Sequence, residues 1–156
     1  MNLKGKSIEV PFANLCSGVS RFLQRSRKVA VSGILLIDDS AIFRKTVKSV
    51  LASSLPSVSI EEASDAKEAS GKIDECLPKL IFMDIRLPDK SGLELTREIK
   101  GLHPTVTIVM LSGYDSQETQ EVALTGGASL FLSKGSVTSK EIVEVAESVL
   151  FPNGQE

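Results

Sequence analysis

A chain of 156 residues, 42% of them hydrophobic and 24% charged, suits one compact domain with its own core and a short appendage, and leaves two domains cramped. A formal charge of -2 and an isoelectric point near 5.6 argue against direct nucleic-acid binding, which needs concentrated basic charge. No apolar run reaches membrane-spanning length and no secretory-type segment opens the chain; Cys16 and Cys76 lie in different contexts, so reduced thiols in a cytoplasmic protein are expected rather than a disulfide frame.

Residues 1–30 carry Lys4, Lys6, Arg21, Arg25, Arg27 and Lys28 against Glu9 alone, so this arm holds +5 and the remainder -7. From Pro11 onward Phe12, Leu15, Cys16, Val19, Phe22 and Leu23 recur at helical spacing, which predicts a basic amphipathic helix weakened by Gly18. A basic face permits membrane contact, but docking on the domain or a partner, or a loosely ordered leader, is the stronger expectation. The expected division is an extension over 1–32, a domain over 33–151 and a tail over 152–156.

Residues 34–37 form a short apolar run ending on Asp38 and Asp39 and read as a buried strand. Ile42, Phe43, Val47, Val50 and Leu51 then trace the inner face of a helix that stops before Pro56. A second strand is expected over 58–62, and Asp65 with Glu68 forms the entrance of a helix that ends near Leu77 and Pro78. The third strand, 80–83, ends on Asp84, and a helix follows over Leu93, Leu95 and Ile99. The fourth, 107–111, closes on Ser112 and Gly113; Asp115 and Glu118 open the next helix, which Gly126 and Gly127 terminate. The fifth, 129–132, runs into Lys134, and Thr138 with Glu141 supplies a capping box for a last helix facing inward through Ile142, Val145, Ala146, Val149 and Leu150. Strands alternating with helices in this way predict a doubly wound parallel α/β sheet.

Parallel strands point the same way, so Asp38, Asp39, Asp84, Ser112 and Lys134 gather at one sheet edge. The strand order 2-1-3-4-5 would bring the aspartates together at the switch point between strands one and three. Clustered carboxylates need a cation, and an all-oxygen site that keeps waters suits Mg2+. Carboxylates, Mg2+, an ammonium and a hydroxyl describe a site that stabilises a transferring phosphoryl group, with the central carboxylate as acceptor. Taken singly, the acids could cap helices, Ser112 could close a turn, Lys134 could be solvated and Phe131 could be core packing.

The set Asp38-Asp39, Asp84-x-x-x-Pro88, Ser112-Gly113 and Lys134, with the stretches 88–95 and 127–134, resembles the receiver domain of two-component response regulators. The resemblance implies a flavodoxin-like fold and phosphorylation of Asp84 by a sensor histidine kinase or phosphotransfer protein. It further implies that Asp39, Asp84 and the Arg86 backbone carbonyl bind Mg2+ directly and Asp38 through water. Lys134 and Ser112 would contact the phosphoryl oxygens, Phe131 would be the switch aromatic, and Arg86 and Tyr114 would flank the pocket. Tyr114 is expected to shield the acyl phosphate from water.

The chain departs from the resemblance at Gly135, where the family commonly has proline, so a loop of altered flexibility is expected beside Lys134. Only six residues follow Leu150, which leads to the expectation of a stand-alone, non-enzymatic receiver acting on a downstream protein, with dimerisation open. The alternatives are a receiver fragment of a longer transcription regulator, an aspartyl-phosphate phosphohydrolase, which would commonly need an acid where Arg86 stands, and an inert scaffold. His103, the single histidine, is expected to be exposed and argues against a histidine phosphocarrier.

Overall fold

The computed structural model describes residues 31–154; the helix expected over 11–23, and Cys16 with it, lies outside them. In chain order the elements are β1 (Val31–Ile37), α1 (Ala41–Ser54), β2 (Val58–Ala63), α2 (Ala66–Glu75), β3 (Leu80–Met83), α3 (Gly92–Leu102), β4 (Thr107–Ser112), α4 (Gln117–Thr125), β5 (Leu130–Ser133) and α5 (Ser139–Leu150). The five strands form one parallel sheet of order β2-β1-β3-β4-β5, as the alternation of strands and helices predicts.

Side-chain alternation along the strands makes two cores. Leu35, Ile37, Ile81, Met83, Ile108 and Met110 point to the face covered by α2, α3 and α4. Ile34, Leu36, Leu80, Phe82, Val109 and Leu111 point to the face covered by α1 and α5. Because both faces are buried, the central strands are continuous apolar runs rather than alternating ones. No helix among the described residues is long and apolar enough to cross a membrane.

Three expectations need correction. Ile42 is 81% exposed: the inward stripe of α1 is Phe43, Val47 and Leu51 at four-residue steps, and Ile42 stands one helical step, about 100°, off it. The N-cap of α4 is Ser116, whose hydroxyl accepts the Thr119 N–H; Asp115 instead accepts a hydrogen bond from the Ser133 hydroxyl at 2.5 Å. His103 is half-buried at the C-cap of α3, where its backbone N–H reaches Ile99. Strand ends also shift: β1 begins at Val31, β2 runs to Ala63, and β5 lies one residue later than expected.

Candidate functional site

Asp38, Asp84 and Lys134 each sit one step beyond a strand and are still held by the sheet, and Asp39 follows Asp38. The Asp38 amide bonds the Ala63 carbonyl at 3.1 Å, the Asp84 amide bonds Ile37 at 2.8 Å, and the Lys134 amide bonds Ser112 at 2.9 Å. Their side chains therefore start from fixed points along the carboxyl edge, where β1 and β3 adjoin. One carboxylate oxygen from each of Asp38, Asp39 and Asp84 lies within 4.8 Å of the others. Asp38 and Asp84 are buried, while Asp39 is exposed.

Lys134 bridges the two buried acids, with Nζ 2.5 Å from Asp38 Oδ2 and 2.8 Å from Asp84 Oδ2. The other Asp38 oxygen accepts the Ser40 N–H at 2.8 Å, and the Arg44 guanidinium donates to the Asp38 carbonyl. Both Asp38 oxygens are thus committed. Asp84 Oδ1 is buried and has no hydrogen-bond partner among the described residues. An oxygen left so is costly unless something binds it.

Burial pushes the Asp38 carboxyl above its ordinary range, against the downward pull of Lys134 and the Ser40 N–H, with Asp84 adding to the rise. Burial also works against charge on Lys134, yet the hydrogen bonds it donates to Asp38 and Asp84 hold its ammonium above its usual value. One ammonium cannot balance three carboxylates, so two negative charges remain uncompensated at the cluster. Hard oxygen donors, a surplus matching a divalent ion and the open Asp84 oxygen fit Mg2+.

Ser112 ends β4 fully buried, and its hydroxyl accepts the Tyr114 N–H at 3.3 Å. Phe131 is half-buried and packs against the core that contains Met83 and Met110, so it faces the α2–α4 side. Arg86 and Tyr114 are brought together: the guanidinium carbon lies 3.6 Å from the ring centroid. Gly135 has ordinary negative φ, so the lysine loop needs no left-handed residue. Arg44 and Phe43 were missed as site residues; hydropathy assigns Phe43 to the core, and nothing in the spacing shows a helical arginine reaching back to a strand-end carbonyl.

The chain is similar over residues 34–147 to the family described as response regulator receiver domain. The transcriptional activator protein ExaE of Pseudomonas putida is 34% identical over 118 residues, 76% of this chain and 55% of that protein. The chemotaxis protein CheY of Thermotoga maritima is 29% identical over 116 residues, 74% of this chain and 95% of that protein. The receiver domain of NtrX from Brucella abortus matches the fold with a TM-score of 0.69 at 34% identity, covering 75% of this chain and 97% of that one. The chain spans about half the length, or less, of several curated relatives. Sheet order, acidic edge and sequence similarity agree, and the chain belongs to the receiver-domain family of two-component response regulators.

Proposed function

We propose that this chain, through a receiver unit spanning residues 33–151, accepts a phosphoryl group on Asp84 from a histidine kinase or phosphotransfer protein in the cytoplasm, and passes that state to a protein target. The observation that supports this reading best is the Asp84 carboxylate: one oxygen is paired with Lys134 at 2.8 Å and the other is buried with no hydrogen-bond partner among the described residues. A carboxylate oxygen of Asp84 attacks phosphorus, the P–N bond to the donor imidazole breaks with its electron pair leaving on nitrogen, and an acyl phosphate forms. Asp38, Asp39, Asp84 and the Arg86 carbonyl would hold Mg2+, which supplies charge neutralisation for the phosphoryl oxygens.

The chain's own groups do the rest. Lys134 exchanges part of its pairing with Asp84 for a phosphoryl oxygen. Ser112 gives up its bond from the Tyr114 N–H and donates its hydroxyl to another oxygen, and Phe131 follows inward, changing the surface of β4, β5 and their helices. Incubating the protein with Mg2+ and acetyl phosphate should add one phosphoryl group, confined to Asp84 by peptide mapping and lost in Asp84→Asn. Label retained by that variant, or turnover of unrelated phosphoesters, would overturn the reading.

A further inference from the structure

Lys134 has a third neighbour besides its two acids: its Nζ lies 4.4 Å from the centroid of the Phe43 ring. We propose that Phe43 is a positioning residue for phosphoryl transfer, holding the Lys134 ammonium against the Asp84 side of the pocket through its ring face and not only through core packing. The proposal rests on Asp84 being the phosphoacceptor.

The ring is fixed to the same loop as the acids. Asp38 Oδ1 accepts the Ser40 N–H at 2.8 Å, and the Ser40 hydroxyl accepts the Phe43 N–H at 3.3 Å. Phe43 therefore enters α1 at a set distance from Asp38, and it lines a small, mostly apolar cavity together with Arg44, Asp38 and Asp84. The lysine side chain is only 19% exposed, so the contact forms largely out of water, where a cation over an aromatic face is worth most.

An ammonium carries three donors on a flexible four-carbon stem. Two point to Asp38 and Asp84, and the ring occupies the remaining side without a fixed acceptor atom. A third carboxylate there would pin the ammonium; an apolar wall would leave it poorly solvated. A π face does neither, because its attraction varies little as the cation moves across it. The ammonium can thus shift from the Asp84 oxygen to a phosphoryl oxygen without losing this contact.

The test replaces Phe43 with a series of increasingly fluorinated phenylalanines, which keep shape while weakening the ring's negative face, and with Leu and Tyr. In metal-free protein, the Lys134 ε-methylene resonance should carry an upfield ring-current shift that disappears in Phe43→Leu. With Mg2+ and acetyl phosphate, the Asp84 labelling rate should fall stepwise along the series, by about 3- to 10-fold in total, while Phe43→Tyr stays near wild type. A labelled wild type with equal rates along the series, or a Lys134 shift untouched by Phe43→Leu, overturns the proposal alone. No label on the wild-type chain overturns the phosphoacceptor reading and the proposal with it.

Discussion

Tyr114 is 47% exposed, yet its ring is capped by the Arg86 guanidinium at 3.6 Å, so the loops that follow β3 and β4, the strands leading to Asp84 and Ser112, are joined by one stacked pair. A stacked pair of this kind restricts water more than either side chain would alone. Tyr114→Ala is therefore expected to shorten the lifetime of the Asp84 acyl phosphate several-fold, and Arg86→Ala to shorten it less, because the phenol ring remains. The measurement is the first-order loss of label after donor removal, and an unchanged rate in Tyr114→Ala ends the shielding idea. At this scale the acids and Lys134 were legible because a charged residue after a short apolar strand has one place to go. Contacts between side chains of separate elements and loops were not: Arg86 with Tyr114, Phe43 with Lys134 and Ser133 with Asp115 depend on three-dimensional approach that no spacing encodes.

Elements around the site are tied together by caps and by one close approach. The Asp89 carboxylate, in the loop after Asp84, accepts the first two amides of α2, from Ala66 and Lys67, at 2.9 Å each. Gly92 opens α3 with its amide on the Ile85 carbonyl at 2.7 Å, and a Cβ there would strike the Asp84 carbonyl. Gly92→Ala should cost about 1–3 kcal/mol, read from the urea midpoint, and slow Asp84 labelling because the obstructed atom belongs to the acceptor's own backbone. The capping box of α5 gives a pH prediction. Backbone and side-chain hydrogen bonds from Thr138 hold the Glu141 carboxyl below its ordinary value of 4.5. A depressed carboxylate contributes stability above its unfolded value, and that contribution disappears as pH falls through the lowered folded value. Between about pH 6 and about pH 3, Glu141→Gln should therefore lose less stability than wild type, and equal slopes would contradict the box. The boxed helix start at Thr138 was legible as a sequence pattern, and so was Asp65 with Glu68. The start of α4 was not: Asp115 and Ser116 are both good caps, and the choice was decided by Ser133, which engages Asp115 from another strand.

For the molecule as a whole, strand order decides the electrostatics. Had β1 and β3 not adjoined, the acids after them would stand apart and Lys134 could serve only one; their adjacency concentrates a surplus of two negative charges at a single edge. That order was legible because only strand two ends without a site residue and so belongs outside, whereas the position of residues 1–30 lies beyond the described fold. The consequence is thermodynamic linkage: an ion that binds the folded cluster and not the unfolded chain raises stability by about 2.7 kcal/mol at about one hundred times its Kd. Mg2+ at constant ionic strength should thus raise the thermal midpoint of the wild-type protein. Asp39→Asn separates this effect from general stability. Asp39 is exposed and precedes the N-cap of α1, so without metal its removal trades relieved repulsion against a lost helix-dipole contact. Each of those effects is about 0.3–1 kcal/mol, which leaves the metal-free variant within about 1 kcal/mol of wild type. Its Mg2+-dependent rise should nonetheless largely vanish, because the cluster loses one of its carboxylates and half its surplus charge. A variant that responds to Mg2+ as strongly as wild type would show that the ion binds elsewhere, and the charge balance at the β1–β3 edge would then need another explanation.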